Sequence, residues 1–278
     1  WISQNINNKD KNICLSGGVF ANVKLNQKIR ERFKDKIIYV NPVMGDEGLV
    51  LGGLKNNQSK LATKEGANIG PNFDKVNIKK ILNKKNYKYI KFKNIDDTVS
   101  ECVQLFKKKK PIGIFHGPME FGPRALCHRS IIFSATDHDC NNWLNKRLNR
   151  SEFMPFAPVI RDVDAKKYLI GYKKNQVSSE FMTMTYKCTK EFIKKAPTVI
   201  HVDGTARPQI LKKGKDPWFY KFLSEYINQT GEACLINTSF NNHEEPIVCN
   251  VEDALKSLNK RNVEAIIFAR KHMVMRKG

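Results

Sequence analysis

Apolar and polar positions along the chain alternate between strand-like and helix-like spacing. From Asn12 a short apolar run, Ile13-Cys14-Leu15, breaks at Ser16-Gly17-Gly18 and passes into helical spacing through Val23, Leu25 and Ile29 to Phe33. A second cycle follows: an apolar strand from Ile37 to Val40, the breaker Pro42, a loop Gly45-Asp46-Glu47-Gly48 and an apolar helix start at Leu49, Val50 and Leu51. This βαβα order predicts a sheet flanked by helices. Residues from about Asn56 to Lys75 carry no apolar periodicity and predict a linker at 61–75 between a first unit, 1–60, and a second, 76–278. In the second unit the pattern predicts a helix from Asp96 or Asp97 through Phe106 and strands at Ile112 to Phe115, Ser130 to Phe133, Phe181 to Tyr186, Ala233 to Ile236 and Ala265 to Ala269. Helices are expected at 138–148, 216–228 and 251–259, which makes this unit mixed α/β.

With 278 residues, 41% of them hydrophobic, the chain can bury a substantial core, and global disorder is excluded. No apolar run approaches the roughly 20 residues of a membrane helix. The chain does not begin with Met, so residue 1 is expected to lie inside a longer polypeptide. The seven cysteines are scattered without a C-x-x-C pair, which fits reduced thiols in the cytoplasm, each a small buried hydrophobe. None of the six histidines pairs with another at metal-ligand spacing, so a self-contained zinc hydrolase is not expected. The charge changes the picture more: 49 Lys and Arg against 27 Asp and Glu leave +22. Such a surface is either a solvated lysine-rich shell or an attractor of anions, and without a helix-turn-helix, finger or RNP pattern small anions and nucleotides are favoured over nucleic acid.

Four segments carry candidate chemistry. Gly17 and Gly18 after a strand, with Asn22 at the next helix, form either a phosphate or nucleoside cradle or a tight turn. Asp46, at a strand-to-helix junction, either caps the helix or ligates a hard cation. In His116-Gly117-Pro118-Met119-Glu120-Phe121-Gly122-Pro123-Arg124-Ala125-Leu126-Cys127-His128-Arg129-Ser130, glycines and prolines fix an irregular backbone after a strand, and Arg124 and Arg129 offer planar forks for phosphate or carboxylate oxygens; Lys146, Arg147 and Arg150 add cations nearby in sequence. His201, Asp203 and Arg207 flank a turn, and Asn237, Ser239 and Asn241 form a polar row after a strand, suited to a small polar ligand or to an elaborate loop.

Taken in order, Met119-Glu120-Phe121-Gly122-Pro123-Arg124-Ala125-Leu126, Phe153-Met154-Pro155-Phe156-Ala157-Pro158, His201-Val202-Asp203-Gly204-Thr205-Ala206-Arg207 and Asn237-Thr238-Ser239-Phe240-Asn241 with Glu245-Pro246-Ile247-Val248 resemble the O-carbamoyltransferases of the nodulation-protein, cephamycin and tobramycin type. The resemblance implies the end of an actin/hexokinase-type ATPase (Kae1-like) subdomain over 1–60, then a mixed-sheet YrdC-like α/β domain over 76–278. It implies formation of carbamoyl adenylate from carbamoyl phosphate and ATP, with Mg²⁺, and transfer to an acceptor hydroxyl on a sugar or natural product at an Fe²⁺ site. It casts Arg124, Arg129, Lys146, Arg150 and Arg207 as a cationic pocket and Asn237, Ser239 and Asn241 as orienting groups. Gly17, Gly18 and Asn22 become a nucleotide-binding turn and Asp46 the single iron ligand within this chain. A non-catalytic RNA- or nucleotide-binding module and a threonylcarbamoyl-adenylate synthase are the rival expectations.

Overall fold

A computed structural model describes residues 2–7, 9–56, 66–148, 155–242 and 244–276. Strands β1 (Asn12–Leu15) and β2 (Ile37–Val40) pair in parallel, and helix Val23–Arg32 crosses between them. Both strands bury alternate residues, Ile13 and Leu15 on one and Ile38 and Val40 on the other, as a half-covered sheet requires. Asn22 starts the helix by accepting hydrogen bonds from the Lys24 and Leu25 amides at 3.1 and 3.0 Å, which satisfies two donors that no helical carbonyl reaches.

The larger sheet uses β3 (Tyr89–Lys91), β4 (Ile112–Phe115), β5 (Arg129–Ser134), β6 (Ala157–Arg161), β9 (Gln209–Leu211), β10 (Leu235–Ser239), β11 (Ala265–Phe268) and β12 (His272–Met275), in the order β3-β12-β11-β4-β5-β10-β6-β9. The pairs β4/β11 and β6/β9 are parallel and the rest antiparallel. A small hairpin of β7 (Tyr186–Lys187) and β8 (Thr205–Ala206) lies outside it. The central strands are buried on both faces, which explains their continuous apolar runs. Helices Ile95–Lys107 and Pro217–Thr230 pack side by side on the sheet, where the Phe106 ring meets Phe133 at 5.2 Å and Tyr226 at 5.9 Å.

The expected mixed α/β architecture is present, with differences in detail. The segment Phe181 to Tyr186, whose apolar residues predict a strand, instead follows a 3-10 turn at Val177–Phe181 and reaches extended pairing only at Tyr186–Lys187. Side-chain partners explain the change: Ser178 accepts from the Val40 amide (2.7 Å) and donates to the Ile38 carbonyl (3.0 Å), while Gln176 accepts from the Ile38 amide (3.3 Å) and donates to the Lys36 carbonyl (3.3 Å). These two side chains supply the free edge of β2 with the bonds a third strand would have made. Strands β3, β6, β8, β9 and β12 carry no expectation from the sequence. Cys14 is exposed, unlike the buried Cys102, Cys127, Cys140, Cys188 and Cys234, because on β1 it faces away from the buried alternate positions.

The first unit is tied to the second by buried polar groups as well as by the shared apolar cluster, which runs from Ile13, Leu15 and Ile38 to the strands of the large sheet. Asn26 donates to the Thr183 carbonyl at 2.7 Å, Thr185 donates to Gln27 at 2.7 Å, and the Arg30 guanidinium lies 4.3 Å above the Tyr186 ring while donating to the Gly171 carbonyl. At the rim, Lys24 pairs with Asp203, whose carboxylate also accepts from the Thr205 amide and hydroxyl.

The Lys24 and Thr205 hydrogen bonds hold the Asp203 carboxyl down at about 2, below the ordinary aspartate value. A carboxyl depressed on folding adds stability that is present above its unfolded value near ~3.9 and is lost as pH falls through the folded value. Thermal melts of Asp203→Asn should therefore show a shallower loss of stability than the parent between roughly pH 4 and pH 2. The difference should stay below about 1 kcal/mol, because the pair is nearly half exposed.

Candidate functional site

The loop between β4 and β5, residues 116–128, has no regular structure of its own, and two opposed charged groups hold its shape. Glu120 is buried, and its Oε1 accepts from the amides of Leu126 (2.5 Å), His128 (2.9 Å) and Arg129 (3.2 Å). Arg129 is fully buried, and its guanidinium donates to the carbonyls of His116 (2.9 Å), His128 (3.1 Å), Gly117 (3.3 Å) and Pro71 (3.4 Å) while stacking 3.8 Å from the Phe115 ring. The carboxylate gathers amides and the guanidinium gathers carbonyls, so a glycine- and proline-broken segment folds back on itself with these backbone groups paired. Gly122 turns at φ 122°, where a side chain would also crowd the Pro42 carbonyl at 3.0 Å.

Residues 67–74 lie against this loop. Gly70 donates to the Met119 carbonyl and Met119 to the Pro71 carbonyl, both at 2.9 Å; Asp74 accepts from the Gly117 amide at 2.9 Å. Part of the expected linker thus builds the site, and residues 57–65 lie outside the described residues.

Beside the loop opens a cleft of about 290 Å³, with Asn68, His128, Gln209, Lys212, Asp216 and Arg270 among its polar walls. Asp216 caps helix Pro217–Thr230 by accepting from the Phe219 amide at 3.0 Å through Oδ1. Its Oδ2 lies 3.5 Å from His116 Nε2 and 3.4 Å from His128 Nε2. Burial pushes the His116 ring down to about 3, so it is neutral. For His128 burial also opposes the charged form, but hydrogen bonding to Asp216 and the Glu120 charge outweigh it and the proton is held more tightly than usual. For Asp216 burial again favours the neutral form, and the His128 and His116 contacts overturn that, bringing the carboxyl down to about 2.

The sequence-derived candidates fall in three places. At the loop, Arg124 is half-buried, its Nε has no hydrogen-bond partner among the described residues, and burial lowers its proton affinity. Close by, Asn237 on β10 donates to Gln209 (2.6 Å), to the Ala125 carbonyl (3.1 Å) and to Cys127 Sγ (3.4 Å), while its Oδ1 is buried without a partner among the described residues. Ser239 ends β10 opposite Ser130, and Asn241 donates to the Glu245 carbonyl at 2.6 Å. Arg129 is here too, but its donors face loop carbonyls, not an open fork as its residue type suggests; its place on β5 beneath the loop is the reason.

The second place is the rim, where His201 accepts or donates with Thr205 at 3.2 Å, Asp203 meets Lys24, and Arg207 is half-buried just after β8. The third is the carboxyl end of the parallel pair β1/β2. Gly17, at φ 109°, donates to the Met44 carbonyl at 2.9 Å, which brings the two turns together; Gly17, Gly18, Asn22 and Asp46 are exposed. Carboxyl ends of parallel strands are a common ligand position. Asn22 is engaged as the helix cap; among the described residues no group of three or more metal donors includes Asp46, and no step is assigned to an iron here. Lys146 does not converge on the cleft. It is exposed on helix Cys140–Arg147, whose last turn is held by Arg147 on Glu264 (2.6 Å), at the end of β11 away from Arg270. Arg150 lies outside the described residues.

Sequence reasoning passed over His116, His128 and Asp216 as a group, and Gln209, Lys212 and Arg270 as cleft walls. No spacing in the sequence pairs the two histidines, yet the folded loop brings their ring centroids to 4.6 Å, tilted by 45°. Their membership of the glycine- and proline-rich segment was the one available signal.

The chain belongs to the carbamoyltransferase family: residues 103–276 match the description Carbamoyltransferase C-terminus and residues 3–54 match Carbamoyltransferase N-terminus. It is 40% identical over 262 residues to the uncharacterized protein MJ1051 of Methanocaldococcus jannaschii, covering 92% of this chain and 50% of that protein. It is 29% identical over 272 residues to nodulation protein NolNO of Sinorhizobium fredii, covering 92% of this chain and 39% of that one. The chain thus spans about half the length, or less, of these relatives. The solved full-length HypF in its phosphate- and nucleotide-bound form superposes with a TM-score of 0.46 at 21% identity, covering 65% of this chain and 22% of that one. Among the described residues no helix is long and apolar enough to cross a membrane.

If Glu120 and Arg129 shape the loop and Arg124 does not, their substitutions separate. Glu120→Ala leaves three amides without their charged acceptor and Arg129→Ala leaves the loop carbonyls unserved, and each should cost roughly 3 kcal/mol or more in urea unfolding, at about 1–3 kcal/mol per buried group unpaired. Arg124→Ala should stay within about 1 kcal/mol of the parent, since its guanidinium has no partner at Nε to lose.

Proposed function

We propose that this chain is the carbamoyl-activating part of an ATP-dependent O-carbamoyltransferase. The family match over 103–276, which encloses the Glu120 loop, the half-buried Arg124 and most of the cleft wall, carries the reading. The division into a Kae1-like end over 1–60, a connecting stretch and a YrdC-like domain over 76–278 belongs to the same proposal.

Carbamate is a poor electrophile until one of its oxygens becomes part of a good leaving group. Carbamoyl phosphate first yields carbamate and inorganic phosphate by reaction with water. A carbamate oxygen then attacks the α-phosphorus of ATP, the bond to the β-phosphate oxygen breaks and pyrophosphate departs, leaving carbamoyl adenylate. The acceptor hydroxyl finally attacks the carbamoyl carbon, releasing AMP and a proton. Arg124 holds a phosphate oxygen, with Lys212 and Arg270 adding positive charge from the cleft wall and Arg207 from the rim. Asn237, whose buried Oδ1 has no partner, orients the carbamoyl amide, with Ser239 and Asn241 at the strand end beyond it. Arg129 acts through the loop as a positioning residue. The turns at Gly17, Gly18 and Asn22 sit where a nucleotide would meet the first unit. Magnesium accompanies the nucleotide phosphates, and the acceptor is a hydroxyl of a sugar or natural product.

Pyrophosphate release by the purified chain with ATP, Mg²⁺ and carbamoyl phosphate tests this, against ATP alone. Release that requires carbamoyl phosphate and falls by about a hundredfold in Arg124→Ala is expected, the scale of losing one oxyanion-stabilising donor. Release unchanged in Arg124→Ala contradicts the assigned pocket. Release that instead requires threonine and bicarbonate assigns the chain to threonylcarbamoyl adenylation.

A further inference from the structure

We propose that His116, His128 and Asp216 form a binding site for a divalent transition metal of the zinc class. The three are drawn from separate parts of the chain, His116 just after β4, His128 just before β5 and Asp216 at the cap of helix Pro217–Thr230, and their ligand atoms all lie within 4.8 Å of one another. All three side chains are buried, at 0%, 6% and 6% exposure. Ligands held at about 2.0–2.1 Å from a tetrahedral zinc lie about 3.3 Å apart. The carboxylate Oδ2 stands 3.5 and 3.4 Å from the two imidazole nitrogens, close to that spacing and beyond a good hydrogen bond.

Two of these atoms, His116 Nε2 and Asp216 Oδ2, are buried polar atoms with no hydrogen-bond partner among the described residues, the kind of defect a bound ion resolves. The surroundings already orient the ligands. Asp216 Oδ1 is engaged by the Phe219 amide, leaving Oδ2 for the metal, and His128 Nδ1 lies 2.5 Å from the Pro118 carbonyl, which keeps a proton on Nδ1 and makes Nε2, facing Asp216, the nitrogen that the metal takes in place of a proton. Asn68, 3.3 Å from His128 Nε2, lines the cleft together with His128 and Asp216, so the fourth position opens there to water or a ligand oxygen. Two histidines and one carboxylate with an open position are a donor set that zinc accepts. Two groups oppose it. Asn68 Nδ2 donates to His128 Nε2 at 3.3 Å, a contact that a flip of the amide removes, and Arg270 donates from Nε to His116 Nδ1 at 3.3 Å, which fixes the proton of that ring on Nε2. Arg270 is 44% exposed, so it can turn outward and let the proton move to Nδ1 as the metal enters. Zinc binding here does not depend on the carbamoyl chemistry.

The purified full chain, stripped with a chelator, is titrated with Zn²⁺ against a chromophoric competitor and with Co²⁺ as a spectroscopic probe. One equivalent is expected, with a tetrahedral cobalt spectrum lacking a thiolate charge-transfer band, which separates this site from the cysteines. His116→Gln and His128→Gln, checked for folding by circular dichroism, should each weaken zinc binding at least about tenfold. Arg270→Ala, at a position 44% exposed, should bind zinc at least as tightly as the parent because the competing donor is gone. A folded parent chain that takes up no zinc, parental affinity in both glutamine variants, or tenfold weaker binding in Arg270→Ala would each overturn the site.

Discussion

The Glu120 carboxylate and the Arg129 guanidinium, both buried under one loop, are the constraint from which the rest of the site follows. Residues 116–128 contain two prolines and two glycines and can form neither helix nor strand throughout, so their backbone groups need other partners. Glu120 takes three amides and Arg129 takes carbonyls from both limbs of the loop and from Pro71. Burying the two charges is tolerable because each faces oriented backbone dipoles of the opposite sense. The consequence is a rigid surface in an irregular segment, and the positions of Arg124, Leu126 and His128 depend on it.

Burial of polar groups recurs where the first unit meets the second. Helix Val23–Arg32 presents Asn26, Gln27 and Arg30 to its neighbour, and the free edge of β2 is served by Gln176 and Ser178. Such contacts are directional, so they set one relative placement of the βαβα unit and the large sheet, where apolar contact alone would accept several. The same logic holds beside the cleft, where Asn237 on β10 donates to Gln209 on β9 across the intervening β6.

Apolar runs bounded by glycine or proline were legible as strands because central strands of this sheet are buried on both faces, and β4, β5 and β11 emerge from the sequence almost residue for residue. The stretch 181–186 misleads for the same reason: Phe181, Met182 and Met184 are buried, but by turns packed against β2, not by a strand. The loop motif announced a site, whereas the division of labour within it was hidden. Arg124 and Arg129 look alike in sequence, and only the burial of β5 tells the structural guanidinium from the available one. The walls supplied by Gln209, Lys212, Asp216 and Arg270 come from segments far apart in the chain, and no local spacing could assemble them. For Lys146 the reverse applies, since proximity in sequence suggested a convergence that the direction of its helix prevents.

Amide hydrogen exchange followed by NMR tests the loop clamp most directly, because it reads the bonds themselves. The amides of Leu126, His128 and Arg129, the first two outside any helix or strand, should exchange as slowly as those of the central strands, since all three point at the buried Glu120 oxygen. Exchange of Leu126 and His128 at the rate of an exposed loop, while β4 and β5 remain protected, would contradict the account.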